Sequence, residues 1–230
     1  KRRITFRGAE QYLDNLQNLF YENSFNPIDN PTNDTEEILT NLEAIKSVLN
    51  DLHNGLFIEL VEDLIHKVKT FGCFFATLDI RQDSSVLRET TTYLAKHYPD
   101  ETRINIADLN GSEENKQASL KFTEATLDCK EDAEALVQDT IGVIRHLKNI
   151  QASGSERAAQ RFIISNCQQA SDILALMQLF LWQGWTKEDL TIDFVPLFET
   201  VDDLSRASDV MRTLYTNTNY ASHLKKRGNK

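Results

Sequence analysis

"LTIDFVPLFETVDDL" occupies residues 190–204. A short run rich in Leu, Ile, Phe and Val ends on Glu199, and a helix signal comes at once. Thr200 and Asp203 match the Ser/Thr-x-x-Asp/Glu pattern of a capping box. Asp202 falls in the first turn, where the helix dipole favours a carboxylate. The spacing therefore predicts a strand over 190–198 and a helix from Thr200 to about Tyr215. A buried strand that feeds directly into a helix is half of a parallel α/β repeat. Glu199 lies before the cap, where a carboxylate has no helical duty. It is either an ordinary strand-end residue or a ligand placed at the mouth of a site.

The same grammar occurs twice more. "RFIISNC" (161–167) predicts a second buried strand. Ser171-Asp172 then predicts the cap of an amphipathic helix whose core positions are Ile173, Leu174, Leu176, Met177, Leu179 and Phe180, stopping at Gly184. "FGCFFATLDI" (71–80) is a continuous apolar run, which predicts a first strand covered on both faces. After it come the polar cluster Arg81-Gln82-Asp83-Ser84-Ser85 and a helix with Val86, Leu87, Leu94 and Ala95 that ends near Tyr98-Pro99.

The remainder reads as helix. Residues 9–24 carry Tyr12, Leu13, Leu16, Leu19 and Phe20 at helical spacing. A loop is expected over 23–34, with Asp34 or Thr35 capping a helix that presents Ile38, Leu39, Leu42, Ile45, Val48 and Leu49. A further helix is expected over 56–70, with Phe57, Leu60, Val61, Leu64 and Val68. Helical periodicity returns over Ala118–Phe122 and is strongest over 133–150, where Leu136, Val137, Ile141, Ile144 and Leu147 form a stripe. The expected fold class is α/β, dominated by helix, with about three parallel strands and many added helices. Residues 1–70 are expected to be a helical region. Residues 71–230 are expected to hold the strands, with a helical insertion at about 100–158, the whole forming one continuous domain fragment.

Composition narrows the function. The chain has 230 residues, 40% hydrophobic and 26% charged, with a formal net charge of −10. That balance suits a folded chain with a sizeable core and argues against a nucleic-acid binder, which needs a concentrated basic surface. No apolar run is long enough for a membrane-spanning helix, and the start "KRRITFR" is unlike a signal peptide. The chain is read as a cut from a longer protein. Cys73, Cys129 and Cys167 are odd in number and widely spaced, which points away from zinc and disulfides and toward a reducing cytosol. His53, His66, His97, His146 and His223 fall in helical or terminal segments and are read as surface or packing residues.

Sites in parallel α/β folds form at the carboxyl ends of strands. There the sequence offers Asp79, Arg81 and Gln82, then Ser165, Asn166, Gln168 and Gln169, then Glu199. One arginine, several amides and one carboxylate suit a small anionic substrate beside a divalent metal. Arg81 is either the partner of Asp79 or Asp83, or a fixed guanidinium that grips phosphate or carboxylate. Glu199 offers the hard oxygen that Mg²⁺ or Mn²⁺ prefers. A different metal-dependent (β/α)-barrel enzyme acting on a phosphorylated acid would use the same residues. A non-catalytic helical protein-interaction module would instead leave the apolar faces of 35–50 and 133–150 exposed and would not bring Arg81 to Glu199.

Three stretches resemble the phosphoenolpyruvate carboxylase family: "FGCFFATLDIRQDSS" (71–85), "FIISNCQQASDILAL" (162–176) and "VPLFETVDDLSRASDVMRTL" (195–214). The resemblance implies a fragment of a (β/α)₈ barrel. It implies formation of oxaloacetate and phosphate from phosphoenolpyruvate and bicarbonate, with Mg²⁺ or Mn²⁺, in a cytoplasmic and homotetrameric parent enzyme. Bicarbonate would attack phosphorus to give carboxyphosphate and an enolate, which then captures carbon dioxide. By motif, Arg81 is similar to an arginine of the substrate site and Glu199 to a metal-binding glutamate. Thr77, Val86-Leu87 and Gln169-Ala170 depart from the family's usual arginine, Arg-His pair and Thr-Pro. The family's catalytic histidine, second metal-binding aspartate and catalytic lysine belong to motifs outside these 230 residues, so no catalytic residue is assigned here and the chain alone is expected to be inactive.

Overall fold

The computed structural model describes residues 6–25, 35–72, 76–130, 133–153 and 156–229. The chain divides into two compact units, one of residues 1–77 with 150–158 and one of residues 78–149 with 159–230.

The first unit contains α1 (Glu10–Phe25), α2 (Thr35–His53) and α3 (Ile58–Phe71). Ile38, Leu42, Ile45 and Leu49 recur every three or four residues, so they form one apolar stripe along α2. They are buried with Leu16 of α1 and Ile65 of α3. Asp34 and most of the loop expected over 23–34 lie outside the described residues, and the helix itself runs on to Phe25. Gly72 ends α3 with φ +56°, a conformation open to glycine, and its N–H donates to the Val68 carbonyl at 2.8 Å. The apolar run at 71–80 is thus not one strand. Phe71 and Gly72 close a helix, and residues 73–75 lie outside the described residues. The physical reason for the difference is that a short apolar run has no period that separates a helix end from a strand.

In the second unit the strand begins later, in the polar part of that motif. β1 is Asp79–Asp83, succeeded by α4 (Ser84–His97), α5 (Pro99–Thr102), α6 (Ile106–Leu109), α7 (Glu113–Ser119) and α8 (Ala135–Ser153), whose residues from Ile150 onward fall to the first unit. Then come β2 (Arg161–Ser165), α9 (Ala170–Leu181), β3 (Asp193–Pro196), α10 (Val201–Thr216) and α11 (Thr218–Lys226). The strands are parallel, in the order β1-β2-β3. Asp79, Arg161 and Asp193 lie in register, as do Arg81, Ile163 and Val195. The helix expected over 118–122 stops at Ser119, because Leu120 is extended and Phe122 has a positive φ of 53°.

Side chains alternate across a strand, and here the alternation sorts the two faces. Phe162, Ile164 and Phe194 are buried on one face. Phe180 of α9 meets Phe162 edge-on at 5.8 Å, Phe194 at 5.3 Å and Trp185 at 5.4 Å between ring centroids. Each such contact contributes about 0.5–1.5 kcal/mol beyond the area it buries. The opposite face carries Asp79, Arg81, Ile163 and Val195, none of them buried. The strands are therefore covered on one face among the described residues, not on both as expected.

α9 is the pivot of this unit. All twelve of its residues are buried, Ser171, Asp172 and Gln178 among them, so it is enclosed on every side and not the amphipathic helix expected. α4, α7 and α10 pack against it together with β3. Its first turn is set by Asp172, which accepts from the N–H groups of Gln168 and Gln169 at 3.0 and 3.1 Å. The cap is Gln169, ahead of the expected Ser171-Asp172. Arg88 of α4 completes the arrangement by donating to Asp172 at 2.7 Å.

The faces that an interaction module would display are in fact buried. Val137, Ile141, Ile144 and Leu147 of α8 are core residues, while Leu136 faces solvent.

Candidate functional site at the strand ends

Arg81 is the third residue of β1, and Glu199 lies three residues beyond the end of β3. The ladder continues past β3, since the Leu197 N–H donates to the Ile164 carbonyl at 2.9 Å. That pairing carries the chain to the same rim as β1. Although 118 residues separate them in sequence, Arg81 Nη2 and Glu199 Oε1 are 2.6 Å apart. Their side chains are 54% and 44% exposed, so both are open to solvent. The guanidinium and the carboxylate thus share one edge of the sheet.

The local alternatives for Arg81 are excluded by where its neighbours go. Asp79 lies at the start of β1, two residues before Arg81, and is 3.3 Å from Arg161 Nε. Asp83 caps α4, accepting from Ser85 N–H at 2.8 Å and Ser85 Oγ at 2.6 Å. Burial pushes the Asp83 carboxyl up, but the Ser85 hydrogen bonds and the Arg88 charge outweigh it and hold the group below the usual carboxylate range.

Glu199 is held by the helix cap beside it. Thr200 Oγ1 accepts from the Asp203 N–H, and Asp203 Oδ2 accepts from the Thr200 N–H, both at 3.1 Å. The capping box read from the sequence is present in full. Asp203 also accepts from Arg206 at 2.8 Å. Its hydrogen bonds to Thr200 hold its carboxyl below the ordinary value. With Asp203 used in this way, Glu199 is left to face the rim.

The amides at the end of β2 have structural roles. Asn166 has a positive φ of 52°, which asparagine tolerates better than most residues. Its carbonyl accepts from Ser84 Oγ at 2.7 Å, and its side-chain oxygen accepts from Gln168 at 3.2 Å. Ser165 Oγ donates to the Gln82 carbonyl at 3.3 Å. Gln82 reaches Thr140 at 3.4 Å. The Ser84 and Ser165 bonds lace the end of β1 to the end of β2. Sequence reasoning missed this lacing and the Arg88–Asp172 pair. The signal for the first was an asparagine placed directly after a strand.

No group of three or more histidine, cysteine or acidic side chains gathers among the described residues. An all-protein cage is therefore not what the rim offers. One half-exposed carboxylate does fit Mg²⁺, which keeps several waters and takes one or two carboxylates together with substrate phosphate. Among the histidines, His223 is the buried one, with its ring donating to the Ile192 carbonyl at 2.8 Å. That is a packing role, as read from the sequence. No described helix is long and apolar enough to cross a membrane.

Comparison with known proteins converges on one family. The phosphoenolpyruvate carboxylase family model matches residues 8–230. The phosphoenolpyruvate carboxylase of Prochlorococcus marinus strain MIT 9215 is 31% identical over 232 residues, covering 94% of this chain and 21% of that protein. The enzyme of that name from Prochlorococcus marinus subsp. pastoris (strain CCMP1986 / NIES-2087 / MED4) is 33% identical over 204 residues, covering 84% of this chain and 20% of that protein. The one from Nitrosomonas eutropha is 28% identical over 211 residues. The chain thus spans about a fifth of the length of these relatives. On this match over nearly its whole length, the chain belongs to the phosphoenolpyruvate carboxylase family.

Proposed function

We propose that this chain is one part of a phosphoenolpyruvate carboxylase, a cytoplasmic carboxy-lyase that forms oxaloacetate and phosphate from phosphoenolpyruvate and bicarbonate. In this reading the sheet is an arc of a (β/α)₈ barrel. Three parallel strands in sequential order support it, and so does the open face bearing Arg81, Ile163 and Val195, which the rest of a barrel would enclose. The parent enzyme would be a homotetramer.

The observation that carries the proposal is the meeting of Arg81 and Glu199 at one rim. Arg81 would grip an oxygen pair of phosphoenolpyruvate, since a guanidinium matches phosphate and carboxylate in a two-pronged fit. Glu199 would hold Mg²⁺ or Mn²⁺. The metal would stabilise negative charge that develops on substrate oxygens. The capping box fixes the backbone beside Glu199, and the Ser165–Gln82 bond fixes the strand that carries Arg81, so only the two side chains have to re-pair when substrate arrives.

The test is Glu199→Gln in the complete enzyme. Turnover to oxaloacetate is expected to fall about 100-fold or more, with an unchanged circular dichroism spectrum. Near-normal turnover would leave Glu199 as a residue before a helix cap and nothing more. The 230-residue chain by itself is expected to form no oxaloacetate.

A further inference from the structure

Arg81 and Glu199 are suited to two different ligands, yet in the structure they hold each other. The contact is a charge-assisted hydrogen bond of 2.6 Å between one Nη and one Oε. It joins β1 to the segment after β3, where the neighbouring charges are already committed elsewhere: Asp79 to Arg161, Asp83 to Ser85, and Asp203 to Thr200 and Arg206. Glu199 is thus the anion that faces the guanidinium.

We propose that Glu199 is a built-in counter-anion for Arg81: it occupies the guanidinium until an anionic ligand displaces it, and the displaced carboxylate is then free for a cation. For the identity of the ligands this rests on the proposed function, but the masking itself rests only on the contact. The anion site is, as a consequence, weaker than a bare guanidinium at this rim would be. Filling either half of the site also favours filling the other, since each ligand removes the competitor of its counterpart, and such coupling is reciprocal. Both side chains are about half exposed, and exposed pairs are weak, so the effect is modest, about two- to five-fold in affinity.

The experiment is phosphate binding to the 230-residue chain, monitored by ³¹P NMR line broadening without metal. Inorganic phosphate, sulfate and phosphoenolpyruvate are the probes, with sulfate read as a competitor of phosphate, and circular dichroism confirms folding. Glu199→Gln, which keeps the shape and removes the charge, is expected to bind phosphate about two- to five-fold more tightly than the unaltered chain. Glu199→Ala should do the same, which guards against a new contact made by the glutamine amide. Arg81→Gln, alone or with Glu199→Gln, is expected to lose the binding. Equal or weaker binding by both Glu199 variants would overturn the proposal. A gain shared by phosphate and sulfate in a protein whose complete enzyme ignores phosphoenolpyruvate would sink the functional reading while the masking stands. Turnover of phosphoenolpyruvate by the complete enzyme without any gain in the Glu199 variants would do the reverse.

Discussion

The sheet carries ion pairs at both of its ends, and two of them differ in kind: Arg227–Asp193 is shielded, whereas Arg81–Glu199, like Arg161–Asp79, is open. At the amino end, Asp79, Arg161 and Asp193 stand in register across the three strands as a row of alternating charge. Arg161 pairs with Asp79, and Arg227 reaches from the end of α11 to Asp193 at 2.7 Å. The Arg227 and Asp193 side chains are only 14% and 27% exposed. At the carboxyl end the Arg81–Glu199 pair is much more open, at 54% and 44%. A shielded pair that ties a helix to a strand serves the fold. An open pair at a strand mouth is free to exchange partners, and that freedom is what a ligand site requires.

The sharpest way to break this contrast is through activity. Glu199→Gln should cost the complete enzyme about 100-fold or more in turnover, whereas Asp193→Asn should leave the rim chemistry in place. Stability should order the two ends the other way. Asp193→Asn removes the charged acceptor of a shielded hydrogen bond and is expected to cost about 1–3 kcal/mol in urea denaturation.

The pH dependence of the amino end is next in size. Burial, aided by the charges of Arg227 and Lys226, holds the His223 imidazole below its ordinary value of 6.5, against the pull of the Ile192 carbonyl and Asp193. The unfolded chain therefore takes up a proton that the folded chain refuses. Stability is complete above about pH 6.5 and is lost as pH falls below it, until the folded group also titrates, by at most about 1.4 kcal/mol per pH unit. His223→Gln should flatten that slope in denaturation measured between pH 7 and pH 5. An unchanged slope would show that other groups set it. The smallest effect belongs to the open pair: Arg81→Gln and Glu199→Gln are each expected to change folding stability by less than about 0.5 kcal/mol.

Which features were legible in the sequence depends on how local their causes are. The capping box at Thr200 and Asp203 is written in four adjacent residues, and it is present as read. The helices α2 and α8 were legible because their stripes repeat over several turns. Glu199 was legible as a residue beyond a strand end, whereas Arg81, read as following its strand, is the third residue of β1; their meeting is a result of the strands pairing in parallel. The hidden features depend on pairing register and on burial. Asp79 was read as a rim residue, yet it sits with Arg161 at the other end of β1, because the strand starts at Asp79 rather than ending near it. The aromatic run before it has no period to mark where α3 stops. α9 was read as amphipathic, but its polar residues Asp172 and Gln178 are buried too, as is Gln183 just beyond its end. In the structure Gln178 donates to the Thr123 carbonyl and Gln183 accepts from Arg145, partners that lie 55 and 38 residues away.

The enclosure of α9 governs how this polypeptide behaves before it is folded. Residues 170–181 contain a single charged side chain, Asp172, after which the helix runs to its end without another. In a newly made chain that stretch is sticky and has no gatekeeper at its far end. α4, α7 and β3 cover part of it, and α10 closes a further flank later in synthesis. A version truncated before Val201 would keep that flank wet and would clump as its concentration rises, so the carboxyl-terminal helices act as the segment's own chaperone.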